Sequence, residues 1–270
     1  MRGHVLPVLQ LVLLPICCTA TYVWSVLLGH VEAGFPYISD TGTYPPESCL
    51  FGLLLDIYAT VTAISVYLRW QQIRTFYESD GSCGLRRANT AGLVLGLIAA
   101  FGVLLVANFQ ESNVIYVHLV GALFAFGGGA IYTWIQTVIS YKAHLLPGHH
   151  ACLRHFRAVL SIAITASCVL VVVFASLAKN KRGDIKTDRQ GFKWLPSDKG
   201  FAEHIISTAL EWAMAFMSAT FFASFYREFK VFTFTMPVEF TVTEREVKVN
   251  GDLTSSEMQR AAFTVATIEY

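Results

Sequence analysis

The stretch that decides the fold is the polar segment PYISDTGTYPPESCLFG, residues 36–52. It contains no Lys or Arg, and it lies between two apolar segments that are each long enough to cross a bilayer. Pro36, Gly42, Pro45 and Pro46 interrupt helix formation. The sequence therefore predicts a structured turn, which we call the joint, between two membrane spans.

The composition is that of a membrane protein. The chain has 270 residues, of which 54% are hydrophobic and only 14% are charged, and its mean hydropathy is +0.50. The formal net charge is +1 and no basic motif occurs, so nucleic acid is excluded as a predicted partner. The six cysteines match neither a disulfide framework nor a metal spacing. The predicted fold class is all-α: a polytopic membrane protein built as a six-transmembrane-helix bundle, with the lipid bilayer as its surroundings.

Six apolar runs predict the membrane spans, at about residues 5–28, 49–68, 90–107, 114–139, 157–178 and 204–225. They form a predicted membrane domain over residues 1–232, followed by a tail over residues 233–270 that we expect to be cytosolic and flexible. Partial alternation of apolar residues at 238–242 would also suit a short strand.

Lys and Arg predict the orientation of the spans. The connections after the first and third spans contain neither residue, whereas the connection after the second span is basic. Both termini are therefore predicted to lie in the cytosol and the joint in the lumen. The connection at residues 179–203 carries seven Lys and Arg residues, which conflicts with this orientation, so its side is left open.

Small residues recur at every fourth position in spans three and four. They are Gly92, Gly96 and Ala100 in span three, and Gly121, Ala125 and Gly129 in span four. This spacing places each set on one helix face, where small side chains let two helices approach closely. With only a short turn between them, the two spans are predicted to form a tight antiparallel hairpin.

Three ionisable residues fall inside the spans, away from their first and last residues: Asp56, His118 and Glu211. A charged Asp at the bilayer centre costs about 2.5–3.5 kcal/mol, so such groups usually face the bundle interior. One interpretation is an intramembrane site, such as a proton relay, a carrier pocket or a lipid-headgroup site. The other is a hydrogen-bond network that fixes helix register, and the sequence leaves both open.

No catalytic residue, cofactor or metal ligand is predicted. A metal site built from Asp40, His118 and Glu211 is conceivable, but no spacing demands it. The connection at residues 141–156 is rich in histidine, and we expect a solvated cytosolic loop there because its spacing fits no metal motif. The tetrapeptide YREF at residues 226–229 fits a tyrosine sorting signal, although it lies next to the last span.

Several motifs resemble one known family, that of the damage-regulated autophagy modulators (DRAM) within the wider Frag/DRAM/Sfk group of six-span proteins. They are the joint itself, ANFQ at 107–110, His118 with Gly121 and Ala122, SYK at 140–142, WLPSDKG at 194–200 and EW at 211–212. The resemblance runs from about residue 35 to residue 232. Asp56 departs from it, because an uncharged amide is common at that position in the family.

The resemblance implies a lysosomal or endosomal membrane protein that promotes autophagy and, in some members, cell death. It implies no agreed chemical activity. Our first hypothesis is a non-enzymatic regulator that binds unknown protein partners through its cytosolic loops and tail. The alternative is a transporter or lipid-handling protein that uses Asp56, His118 and Glu211, and a membrane hydrolase acting on lipid is a third.

Under the first hypothesis the joint is a lumenal structural element. Its signature residues are Pro36, Tyr37, Ser39, Asp40, Thr41, Gly42, Pro45, Pro46 and Glu47. We expect Ser39 and Asp40 to cap a turn, and Gly42 to supply an unusual backbone angle.

Overall fold

The apolar runs of the sequence form long helices, because a helix satisfies every backbone N–H and C=O group inside its own segment. In the computed structural model, which describes residues 3–77, 83–183 and 193–233, the helices carry the following labels and bounds. They are α1 Val5–Leu27, α2 Glu47–Phe76, α3 Cys83–Asn108, α4 Ile115–Ala122, α5 Gly129–Lys142, α6 Ala151–Arg182, α7 Phe201–Ala223 and α8 Tyr226–Lys230.

Among the residues that the structure describes, six helical segments are long and apolar enough to cross a membrane. The fourth combines α4, a π-helical turn at Leu123–Gly128 and α5, and the sixth combines α7 and α8. The predicted fold class, an all-α bundle of six membrane spans, is confirmed. The strand suggested at residues 238–242 and the rest of the tail from residue 234 lie outside the described residues.

The six spans are arranged as a closed ring. Each span packs against the next one in the chain, and α7 returns to pack against α1. The joint and the starts of α4 and α7 share one end of the bundle, which we call the joint end. The start of α1, the end of α5 and α8 share the opposite end.

The hairpin of spans three and four is close-packed, as predicted, but not at the predicted residues alone. A Cβ on Gly102 of α3 would lie 2.4 Å from the backbone N of Ala125 and 2.6 Å from the carbonyl oxygen of Gly121. Gly121 belongs to the predicted set, whereas Gly102 does not. Gly129 was predicted to be at the interface, yet nothing lies within 4 Å of the position that its Cβ would take. Close approach at Gly102 and Gly121 fixes the distance between α3 and α4.

Candidate functional site: the central cavity

The joint enters the bundle rather than lying across its end. The backbone N–H of Ile38 donates a hydrogen bond to Oε2 of Glu211, at 2.8 Å. Glu211 lies ten residues after the start of α7 at Phe201, which is about 15 Å along a helix. The segment around Ile38 therefore reaches well below the end of α7.

Three further contacts hold the joint between α1 and α7. The indole Nε1 of Trp212 donates to the carbonyl oxygen of Pro36 at 2.9 Å. The hydroxyl of Tyr37 donates to Oγ of Ser207 at 2.9 Å, and the hydroxyls of Thr21 and Thr41 share a hydrogen bond of 2.9 Å. These bonds give the polar groups of the joint partners inside the bundle, which is what allows an irregular segment to lie there.

The expectation that Gly42 supplies an unusual backbone angle is wrong. Glycine is needed at this position because a larger side chain would not fit. Residues 40–42 form one turn of 3-10 helix, and Gly42 is absent from the described glycines with positive φ. A Cβ at Gly42 would lie 2.3 Å from the ring of Phe51. Contact between this turn and the first turns of α2 therefore needs glycine at this position.

The polar side chains of the joint divide between local and longer-range contacts. Asp40 accepts a hydrogen bond of 3.3 Å from the backbone N–H of Tyr37, three residues before it, whereas Ser39 at the N-cap of the 3-10 turn makes no side-chain capping bond. The hydroxyl of Ser39 instead lies 3.5 Å from Oε2 of Glu111. Glu47, fully buried at the start of α2, is hydrogen-bonded to Nδ1 of His30.

The ring of spans encloses a cavity of about 120 Å³ below the joint. Its polar lining at the joint end consists of Ser39, His118 and Glu211. Most of the remaining wall is apolar and includes Leu55, Ala99, Val103, Phe126, Ala215 and Phe222. The π-helical turn Leu123–Gly128 contributes Phe126 to this wall, and such turns are frequent at functional sites.

Two of the three predicted site residues meet at this cavity. His118 and Glu211 are 5% and 8% exposed, respectively, and both line it. Asp56 is not among the lining residues in the described part of the chain; it accepts a hydrogen bond of 2.8 Å from Nδ2 of Asn108 and is partly exposed. The structure therefore separates Asp56 from the other two.

The buried surroundings of the joint change the pKa values of Asp40 and Tyr37. Burial, reinforced by the carboxylates of Glu111 and Glu211, raises the pKa of Asp40 well above its usual range. Burial also raises the pKa of Tyr37 to about 12, and the hydrogen bond to Ser207 opposes this shift only in part. The joint end is therefore an acidic region in which Asp40 holds its proton more strongly than an exposed Asp does.

A second polar cluster lies at the opposite end, and the sequence patterns did not predict it. Glu228 of α8 is fully buried and accepts four hydrogen bonds. Nη1 and Nη2 of Arg157 donate at 3.1 and 2.7 Å, Nη1 of Arg69 donates at 3.0 Å, and Nδ1 of His149 lies at 2.8 Å. We call these four residues the Glu228 network, and it ties α8 to α2 and α6.

The Glu228 network corrects two expectations. Arg69 directly follows the predicted second span, in the basic connection, and His149 lies in the predicted solvated loop at residues 141–156. Arg69 is nevertheless fully buried, and the side chain of His149 is only 3% exposed. Both guanidinium groups also lie over the ring of Phe225, Arg69 at 4.7 Å and Arg157 at 4.4 Å. YREF is helical, and its Phe229 is fully buried, so the tetrapeptide is part of the folded bundle.

The joint, the cavity and the Glu228 network all lie within one stretch of sequence, residues 14–228. A family described as the Frag1/DRAM/Sfk1/Cwh43P N-terminal domain matches residues 2–232, which include this whole stretch. The chain belongs to the Frag1/DRAM/Sfk1 family. The resemblance noted from the joint and the shorter motifs is thereby confirmed.

Relatives in the Frag1/DRAM/Sfk1 family cover most of the chain. The DNA damage-regulated autophagy modulator protein 2 of Rattus norvegicus is 37% identical over 79% of this chain and 78% of its own length. The DNA damage-regulated autophagy modulator protein 1 of Homo sapiens is 35% identical over 86% of this chain and 90% of its own length. The modulator of macroautophagy TMEM150B of Xenopus tropicalis is 42% identical over 61% of this chain and 73% of its own length. No solved structure matches the chain.

Proposed function

We propose that this protein promotes autophagy, and in some settings cell death, from a lysosomal or endosomal membrane. The observation that carries the proposal is the match over residues 2–232 to relatives whose names describe modulators of autophagy. Those names describe modulation and no reaction, which supports a non-enzymatic role. Unknown protein partners would bind its cytosolic loops and tail.

In this proposal the opposite end of the bundle faces the cytosol and the joint end faces the lumen. The absence of Lys and Arg from the connections after the first and third spans supports that orientation. Both termini are then cytosolic, and the acidic groups around Asp40 face the acidic interior of the organelle.

A rescue experiment tests the proposal. Cells that lack the protein receive the wild-type chain or an empty vector, and autophagic flux is measured together with the compartment that the protein reaches. We expect the wild type to reach lysosomes or endosomes and to raise flux. Correct membrane insertion without any change in flux would contradict the proposal.

The central cavity favours a second candidate function, in which the protein handles a lipid-like ligand inside the bundle. His118 and Glu211 line a mostly apolar cavity, and polar groups at such a place typically orient a ligand. In the same rescue cells, a chain carrying Glu211→Gln that reaches the same compartment should restore less flux than wild type. Full rescue by Glu211→Gln would show that this second function does not need the carboxylate of Glu211.

A further inference from the structure

The central cavity has an apolar body and a hydrogen-bond-accepting head end. We propose that it binds one single-chain amphiphile whose headgroup is an amine, with the chain in the apolar body and the amine at Glu211. This inference rests on the second candidate function and specifies the ligand class for that same cavity.

The length of the cavity suits one hydrocarbon chain. Glu211 at its head end and Phe222 further along the wall lie eleven residues apart on α7, which is about 16 Å. The volume of about 120 Å³ is slightly smaller than that of a cavity of about 150 Å³ known to bind benzene, so the alkyl chain that fits between these two residues is a short one.

The wall of the cavity favours hydrocarbon over water. Among the polar residues lower in the wall, the hydroxyls of Thr62, Thr133 and Ser218 donate to carbonyl groups of their own helices. Tyr132 also lines the wall, and its buried hydroxyl has no hydrogen-bond partner among the described residues. The rest of the wall offers few free polar partners for water, and apolar cavities of comparable size stay dry and take up small hydrocarbons. An alkyl chain supplies the contacts that an empty apolar space lacks.

The head end is rich in acceptors and lacks a cation. Oε2 of Glu211 accepts a hydrogen bond from the backbone N–H of Ile38. Within residues 3–77, 83–183 and 193–233, Oε1 of Glu211 makes no hydrogen bond, and no Lys or Arg forms an ion pair with this carboxyl group. His118 bonds through Nδ1 to the carbonyl oxygen of Phe109 at 2.8 Å. Because a carbonyl can only accept, Nδ1 carries the proton, and Nε2 of a neutral ring is then a second acceptor.

An amine fits this arrangement better than other headgroups. A protonated primary amine supplies three N–H donors and a positive charge, and its approach favours the ionised form of Glu211, with which it forms an ion pair. A fatty-acid head brings a second acidic group to Glu211 and no positive charge. A fatty alcohol supplies a single donor and no charge.

The test uses the purified full-length chain in lipid nanodiscs and photoreactive probes of equal chain length. The probes carry an amine, an alcohol or a carboxylic acid at the head. Ala99→Leu fills part of the cavity, and Ala91→Leu on the exposed face of the same helix is its matched control. Glu211→Gln removes the charge, and Glu32→Gln, at a partly exposed carboxylate of the joint end, is its control.

We expect the amine probe to label the wild type more strongly than the alcohol or acid probe. Glu211→Gln should weaken amine labelling about tenfold, the fold-change of one charge-assisted hydrogen bond. Ala99→Leu should abolish labelling while the control variants label like wild type. Thermal unfolding of each variant identifies any that fail to fold, and the amine-to-alcohol ratio of the wild type tests the headgroup without any variant.

Two results would overturn the inference and remain distinguishable. If the alcohol or acid probe labels as strongly as the amine, and Ala99→Leu still blocks it, the amine assignment fails while the lipid-handling cavity stands. If no probe gives labelling that depends on Ala99, both the inference and the second candidate function fail. Neither result bears on the proposal that the protein promotes autophagy.

Discussion

Replacing Glu228 with Gln should be among the most damaging single changes to the bundle. The side chain keeps its size, but it loses the only negative charge in the Glu228 network, where Arg69 and Arg157 are both fully buried. Two guanidinium cations would then lie inside the protein without a counter-ion. A buried cation without a partner is far more costly than the same cation in water.

The geometry of the network sets the magnitude. One carboxylate oxygen of Glu228 accepts from Arg157 and His149, and the other accepts from Arg69 and Arg157. Whichever oxygen becomes the amide NH₂ of Gln, two donors then face a donor, so half of the four hydrogen bonds are lost. Removing one partner from a buried ion pair costs about 3–5 kcal/mol, and we expect a loss of that size in the free energy of unfolding.

Reversible denaturant unfolding in detergent micelles measures this loss. The matched control is Glu203→Gln, which removes an ion pair with Lys181 on the surface, where the Lys side chain is 55% exposed. Exposed pairs contribute little, so the control should unfold like wild type. If Glu228→Gln also unfolds like wild type, the buried network does not stabilise the bundle and our account of it is wrong.

Three further predictions concern the joint and the orientation. Gly42→Ala should destabilise the bundle by about 1–3 kcal/mol in the same unfolding assay, because its Cβ would overlap the ring of Phe51. The free energy of unfolding of Asp40→Asn, measured relative to that of the wild type, should increase as the pH rises. The raised pKa of Asp40 means that the wild type is most stable below the unfolded value of about 3.9 and loses that stability as the pH rises through the folded value. A membrane-impermeant thiol reagent added to intact lysosomes should label exposed Cys152 and spare exposed Cys49.

Each of these three predictions has its own control. Gly129→Ala meets no atom within 4 Å and should be neutral or slightly stabilising, so equal losses for both glycine variants would contradict the packing argument. A constant difference between Asp40→Asn and wild type at every pH would show that Asp40 does not titrate differently on folding. In permeabilised lysosomes the reagent should label both cysteines. If it labels Cys49 alone in intact lysosomes, the orientation of the bundle is the reverse of the one proposed.

The sequence predicted those features of the fold and of the cavity that depend on the local pattern of residues. Runs of apolar residues mark helices that cross a bilayer, and an acidic group such as Glu211 inside such a run marks a place where the helix must face inward. His118 was identified in the same way, and the structure brings the two to one cavity. Asp56 satisfied the same criterion, but a neighbouring Asn108 gives it a partner near the end of α3.

The sequence did not predict what depends on long-range pairing. Arg69 and Arg157 lie 159 and 71 residues from Glu228, and each lies at the end of an apolar run, where arginine usually faces water. Only the ring arrangement of the spans brings them together. The same applies to Gly42, since its close contact with Phe51 becomes visible only when the joint is folded against α2.

One measurement tests most directly the central claim, that the protein promotes autophagy from a lysosomal or endosomal membrane. Cells without the protein would express, at equal levels, either the native chain or the same chain retained in the endoplasmic reticulum by an added retrieval signal, and autophagic flux would be compared. We predict that the native chain restores flux and that the retained chain does not. Equal rescue by both chains, or rescue by neither, would contradict the claim.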